Sequence, residues 1–280
     1  MNRINLPIAF DDPAVTLFGF LPDGDRKPAL LVLPGGGYML CAPSEGEPVA
    51  AHFAGLGYAA FVLNYSVQAP GTDNPLARFP RPLREVAQAV KYLRENSASL
   101  GVDPDRISLF GASAGGHLAA CYGNCWDNTA LLGDIADAEM LQPNALVLLY
   151  GATEFDQNSM MMPAMYGHPA PYTEEELARW TVRLHLGAGT PPTVLFHSAP
   201  DPTVPVQQSL NLFSALQAQG IPSELHIFGC GEHAYGLGTG TPAEVWPSLA
   251  DRFLREVSET PENFSREEMQ RRKALRHGKF

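Results

Sequence analysis

Residues 106–117, Arg-Ile-Ser-Leu-Phe-Gly-Ala-Ser-Ala-Gly-Gly-His, decide how this chain is read. Ile107, Leu109 and Phe110 form a compact apolar run that suits a buried strand, and the residues from His117 to Ala120 suit a helix. Ser113 stands between Gly111 and Gly115, the G-x-S-x-G spacing of a nucleophile elbow on a strand-to-helix turn. The spacing has a steric cause. A side chain at position 111 or 115 would strike the neighbouring strand or helix, so only a very small residue fits. The serine is then held in strained backbone with its hydroxyl exposed, and the helix N-terminus behind it favours developing negative charge. A small-residue turn in a Gly-rich chain would spell the same letters. The strand before and the helix after favour the catalytic reading.

Such an elbow expects its partners in the order serine, acid, histidine. Downstream, Pro191 to Ala199 is an apolar strand delivering Asp201 into a Pro-rich loop. Leu225 to Phe228 alternates like a strand and leads through Gly229-Cys-Gly-Glu232 to His233. Both candidates follow strand ends, where open α/β sheets place their chemistry. In a Ser113–His233–Asp201 relay the imidazole takes the serine proton while the carboxylate fixes the tautomer. Asp156, after the strand ending near Tyr150, is the rival acid. Among the eight histidines only His233 has this loop context; His197 and His226 lie within strand patterns and read as packed or surface residues. Leu31-Val-Leu-Pro-Gly-Gly-Gly-Tyr38 runs an apolar strand into three glycines, leaving backbone N–H groups open to a substrate oxygen. One or two of Gly36, Gly37 and Tyr38, with the amide of Ala114, are the expected oxyanion donors. A phosphate loop is disfavoured, because no Lys-Ser/Thr follows and the G-x-G-x-x-G phase is absent.

With these residues in place, the chain resembles the α/β-hydrolase serine esterases of the acetylxylan-esterase-like group, which includes bacterial acetyl and feruloyl carbohydrate esterases. The resemblance rests on Leu33-Pro-Gly-Gly-Gly-Tyr38, Val102-Asp-Pro-Asp-Arg-Ile107, Gly111 to Ala119, and Pro191 to Ser209 with its Asp201-Pro-Thr-Val-Pro205. Gly231 to Ala234 and Val245 to Leu249 add weaker support, and the whole covers roughly residues 28–255. It implies a mostly parallel, eight-strand-like sheet with helices on both faces. It also implies a serine carboxylesterase that cleaves short acyl esters, acetyl first among them, from a sugar or other small alcohol, with no cofactor and no metal. Two departures stand out. The family often has Gly after the histidine, where this chain has Ala234-Tyr235, and a second acid before the catalytic one, where it has Pro200. A serine peptidase of the same fold is the main alternative, with Glu45 and Glu47 as weak candidates for holding a substrate amine. A lipase would want a longer apolar lid. A silent binding protein would be expected to lose part of the catalytic set.

Composition agrees. At 280 residues, 45% apolar and 18% charged, the chain suits a single α/β domain spanning 1–280. The N-terminus lacks the apolar run of a signal peptide, and no stretch approaches a membrane span. A net charge of −11 argues against nucleic acid and anionic membrane as partners and more weakly favours a neutral or cationic ligand; the small-molecule ester is the partner that the resemblance implies. Cys41, Cys121, Cys125 and Cys230 form no metal-ligand set. Cys121 and Cys125, one helical turn apart, read as buried thiols of a cytoplasmic protein. Residues 153–187 hold Met160, Met161, Met162, Met165, Tyr172 and Trp180 among several prolines. They read as a small cap over the site, with Met160, Met161 and Trp180 in the substrate wall; an ordinary crossover covering the core is the plainer reading. The tail, 261–280, is basic. A solvated, partly frayed helix is its default, and a homo-oligomer contact the sharper idea.

Overall fold

The apolar runs become strands of one sheet in the computed structural model, which describes residues 3–133, 135 and 137–260. In chain order the strands are β1 (Arg3–Asn5), β2 (Thr16–Phe20), β3 (Lys27–Leu33), β4 (Ala59–Asn64), β5 (Val102–Ala112), β6 (Leu146–Leu149), β7 (Thr193–Ser198) and β8 (Ser223–Phe228). They lie side by side as β1-β2-β4-β3-β5-β6-β7-β8. β2 is antiparallel to both its neighbours, and every later pairing is parallel. This is the sheet that the resemblance implies. β1 is absent from the sequence reading; its three residues have little burial of their own and are ordered by pairing with β2. The basic tail, 261–280, lies outside the described residues.

Helices cover both faces, so the central strands read as unbroken apolar runs rather than alternating ones. The helices are α1 (Glu47–Gly55), α2 (Arg81–Glu95), α3 (Ser97–Leu100), α4 (Ala114–Cys125), α5 (Thr129–Leu132), α6 (Met162–Tyr166), α7 (Glu174–Arg179), α8 (Gln207–Ala218) and α9 (Trp246–Glu259). Leu31 and Leu33 of β3 pack with α2, α4 and α8 through Leu83, Val86, Val90, Leu118 and Leu212. Leu30 and Val32, pointing the other way, meet Phe53 of α1 and Trp246, Phe253 and Leu254 of α9. Trp246 is fully buried and stacks on Phe110 with ring centres 5.3 Å apart. That contact seats α9 against the elbow strand.

Segment 153–187 divides between the two readings. α6, α7 and a short turn at Val182–Leu184 occupy it. α7 begins with a capping box between Thr173 and Glu176, a signal the sequence carries. Met161, Met165, Trp180 and Val182 belong to the main core cluster, as a crossover covering the core requires. Among the described residues of this segment, those that line the cavity described below fall within 154–161.

All four cysteines are free. The buried-thiol reading suits Cys121, but Cys125, on the same helix, is half-buried. Among the described residues no group of His, Cys, Asp and Glu could hold a metal ion, and no helix is long and apolar enough to cross a membrane.

Candidate active site

At the carboxyl end of β5 the chain turns into α4 through Ser113, whose backbone sits at φ 51, ψ −118. The glycines on either side are sterically required. A Cβ on Gly111 would lie 2.2 Å from the Gly115 carbonyl oxygen, and one on Gly115 would lie 2.0 Å from that of Leu33. The elbow is thus wedged against α4 and the end of β3, as its spacing implies, and Ser113 N–H is tied to the Leu149 carbonyl at 2.9 Å.

The structure brings the three sequence candidates together. Ser113 Oγ donates to His233 Nε2 at 2.8 Å, and His233 Nδ1 donates to Asp201 Oδ2 at 2.7 Å. Asp201 Oδ1 accepts from the amides of Thr203 and Val204 at 2.8 and 2.9 Å. Burial alone would raise the Asp201 carboxyl. Hydrogen bonds from His197, His233 and the two amides outweigh that and hold it well below the usual carboxylate range. The arrangement favours the carboxylate form. Asp156 is exposed at the cavity mouth, where its carboxylate caps the Asn158 amide at 2.8 Å instead of reaching His233.

His197 reads from sequence as a packed strand residue, and it is fully buried. It also does more. Its Nε2 lies 2.9 Å from the Val204 carbonyl and 3.3 Å from Asp201 Oδ2, while Nδ1 accepts from Ser209 Oγ at 2.7 Å. A carbonyl can only accept, so the proton sits on Nε2 and is shared with the acid. No spacing rule singles this histidine out.

Gly36 and Gly37 line the cavity beside Ser113 at φ 120 and 64. A Cβ on Gly36 would meet the Leu40 carbonyl oxygen at 2.1 Å, so the loop closes only with glycine there. Among the described residues the amides of Gly36, Gly37 and Ala114 donate to no protein acceptor, which leaves them open to a ligand. The Tyr38 amide likewise donates to no protein acceptor among the described residues, while the Tyr38 side chain turns into the core and its hydroxyl donates to His117 Nδ1 at 2.7 Å. His117 Nε2 in turn donates to the Trp180 carbonyl at 2.9 Å. Burial pushes the His117 imidazole down to about 4, so a neutral ring pins the glycine loop, α4 and the segment after α7 together.

The cavity over Ser113 measures about 860 Å³. Its lining includes the apolar Met39, Phe155, Met160 and Met161 and the polar Asn158, Ser159, Thr203 and Gln207. Met160, 67% exposed, stands at the rim and Met161 is buried behind it. Trp180 does not line the cavity. Its ring packs on Phe79 at 4.9 Å, inside the core, because the chain after α7 turns inward there. An aromatic in a Met-rich segment looks the same from sequence whichever way it faces.

Two further side chains have roles that sequence reasoning misses, Glu45 among them although it reads there as a candidate for a substrate amine. Glu45 is 1% exposed, accepting from Gly35 N–H and from the Tyr150 hydroxyl, each at 2.8 Å. Burial raises its carboxyl; the Tyr150 and Gly35 bonds and the charge of His233 pull it back only in part. Glu47 is exposed and faces Arg3 at 3.3 Å, so the two acids make no joint site for a substrate amine. Tyr150, at φ 39, sits edge-on to His233 with ring centres 4.9 Å apart. Ala234 also has a positive φ, 59. The glycine that the resemblance leads one to expect there would relieve that strain; alanine bears a cost on the order of 1 kcal/mol.

The BD-FAE family model matches residues 20–216. Endo-1,4-beta-xylanase B of Butyrivibrio fibrisolvens is 29% identical over 78% of this chain and 34% of its own length. Acetylxylan esterase of Xylanibacter ruminicola is 26% identical over 88% of this chain and 48% of its own. Among solved structures, the acetyl ester-xyloside bifunctional hydrolase of Caldicellulosiruptor lactoaceticus superposes with a TM-score of 0.77 at 31% identity, covering 90% of this chain and 93% of that one. The chain thus spans between a third and a half of the length of these two curated relatives, and nearly all of the solved one.

Proposed function

Since the chain belongs to the BD-FAE family, within the acetylxylan-esterase-like α/β hydrolases, we propose that it is a carboxylic ester hydrolase acting through an acyl-serine at Ser113. The observation that carries this reading is the unbroken pair of hydrogen bonds from Ser113 through His233 to Asp201 at the floor of an open cavity. Ser113 Oγ attacks the ester carbonyl as His233 Nε2 takes its proton, and Asp201 stabilises the imidazolium. The developing oxyanion is held by two or more of the amides of Gly36, Gly37, Tyr38 and Ala114. His233 then protonates the leaving alcohol and activates the water that releases the acid.

The substrate is a short acyl ester, acetyl first, of a neutral sugar or similar alcohol. An acetyl group fills only a small part of a cavity of about 860 Å³, which leaves room for a larger alcohol among polar lining residues such as Asn158, Ser159, Thr203 and Gln207. The described lining includes Glu45, Glu154 and Asp156 and neither lysine nor arginine, so an anionic alcohol would meet only like charge. The names of the relatives, an acetylxylan esterase and an acetyl ester-xyloside hydrolase, point the same way. The test compares acetylated xylo-oligosaccharide, p-nitrophenyl acetate and octanoate, and an aminoacyl p-nitroanilide. The expected order of kcat/KM places the acetyl esters first. Preference for the anilide would move the assignment to a peptidase, and preference for the octanoate to a lipase.

A further inference from the structure

Glu45 is a buried carboxylate beside the catalytic groups that the proposed mechanism does not use. Its two oxygens bind donors on different loops. Oε2 accepts from Gly35, the residue before the oxyanion glycines, and Oε1 accepts from Tyr150, which follows β6. The Tyr150 oxygen also accepts from the amide of Gly236, three residues past His233, at 3.0 Å. Gly236 is fixed from its other side, its carbonyl accepting from Trp246 Nε1 at 2.9 Å. The result is one continuous path from the glycine loop to the histidine loop, each link between 2.8 and 3.0 Å. The space is made for it: a Cβ on Gly35 would lie 2.4 Å from Glu45 Oε2.

We infer that Glu45 and Tyr150 are positioning residues, a carboxylate–phenol bridge that holds the oxyanion loop and the His233 loop at a fixed separation. The inference rests on the catalytic reading of Ser113, His233 and the glycine loop. The oxyanion donors and the imidazole act on the same tetrahedral intermediate from two sides, one from the end of β3 and the other from the end of β8. Relative drift of these loops misplaces one against the other even when each is intact. A misplacement of about 1 Å at a reacting centre costs on the order of 100-fold in rate. Tyr150 serves a second purpose, since its ring, edge-on at 4.9 Å, backs the imidazole plane.

The test uses the full chain with Tyr150→Phe, Glu45→Ala, Glu45→Gln and the double variant Tyr150→Phe/Glu45→Ala, assayed on p-nitrophenyl acetate. Tyr150→Phe keeps the ring and deletes only the bridging oxygen, so it carries the test even if Glu45→Ala fails to fold. The bridge predicts a loss of roughly 10- to 100-fold in kcat for Tyr150→Phe and Glu45→Ala, with KM within about twofold. The double variant loses no more than the worse single one, because both cut the same path. Glu45→Gln can keep the Gly35 bond through its oxygen while its NH2 donates to the Tyr150 oxygen, and it recovers kcat to within about fivefold of wild type. Wild-type kcat in Tyr150→Phe overturns the bridge, as does a loss seen only in KM or thermal midpoint. A Glu45→Gln variant as poor as Glu45→Ala also overturns it, because charge rather than span would then be what matters. Failure of the catalytic reading looks different: activity would survive Ser113→Ala.

Discussion

At Asp201 two imidazoles and two backbone amides converge on one carboxylate, so its charge and its direction are both fixed before substrate arrives. Asp201→Asn keeps the size of the side chain but presents an amide to His233 Nδ1, favouring the wrong tautomer. The expected loss in kcat is roughly 10⁴-fold. Asp156→Asn, which touches only its own turn, should leave kcat within about twofold, since an exposed capping carboxylate is worth little to the imidazole. Steady-state kinetics on p-nitrophenyl acetate rank the two, and the reverse ranking would move the acid to the loop after β6. Ser113, Asp201 and His233 were legible in the sequence because each stands where a strand pattern gives way to a loop. Glu45, Tyr150 and His197 were not. A hydrogen bond between residues far apart in the chain leaves no period and no spacing, and these side chains gain their roles only when separate strand ends are brought side by side.

On α2, Glu85 lies one turn in from the start and points inward, 5% exposed, to accept from Ser66 N and to pair with Ser66 Oγ at 2.8 and 2.6 Å. Burial pushes its carboxyl up to about 7. A proton there fits the surroundings, because Ser66 Oγ can give its own proton to the Leu76 carbonyl at 3.0 Å. The folded chain therefore holds a proton that the unfolded chain releases near the ordinary value of 4.5. The contribution of this group to stability is full below about pH 4.5, falls as pH rises towards 7 and is flat above. Glu85→Gln removes that slope. The variant should match wild type near pH 4.5 and exceed it by about 3 kcal/mol at pH 7.5. Urea midpoints at the two pH values measure this, and a constant difference would contradict it. The segment between β6 and β7 offers a second element-scale test. Met161→Ala enlarges the cavity wall, so each added acyl methylene that finds a buried place gains about 0.8 kcal/mol, roughly fourfold in kcat/KM. Trp180→Ala should leave the chain-length profile unchanged and cost about 3–5 kcal/mol of stability, because that ring is core. A C2–C8 ester series with thermal melts separates the two outcomes. That the segment is part wall and part core could not be read from its methionines, since apolar side chains serve either surface.

Across the whole molecule, the order of the strands does what no single motif can. The parallel pairing of β3, β5, β6, β7 and β8 sets their carboxyl ends in one row, so the glycine loop, Ser113, Tyr150, Asp201 and His233 all emerge on the same edge. Helices on both faces lock that row: α4 behind the elbow, and α9 through Trp246 beneath the histidine loop. The parallel core of the sheet was legible because its strands are continuous apolar runs of the right length. The short β1 was not, since its order comes from its partner rather than from its own residues. If this edge makes Ser113 a nucleophile, covalent labelling will find it there. A fluorophosphonate probe should attach once per chain, at Ser113 in a peptide map, and p-nitrophenyl acetate should compete with it. Ser113→Ala should take no label and lose activity by several orders of magnitude, down to the residual that binding and the oxyanion amides supply, on the order of 10³–10⁴ over water. A label mapped to another residue, or a Ser113→Ala variant that hydrolyses the ester at the wild-type rate, would mean that Ser113 is not the nucleophile.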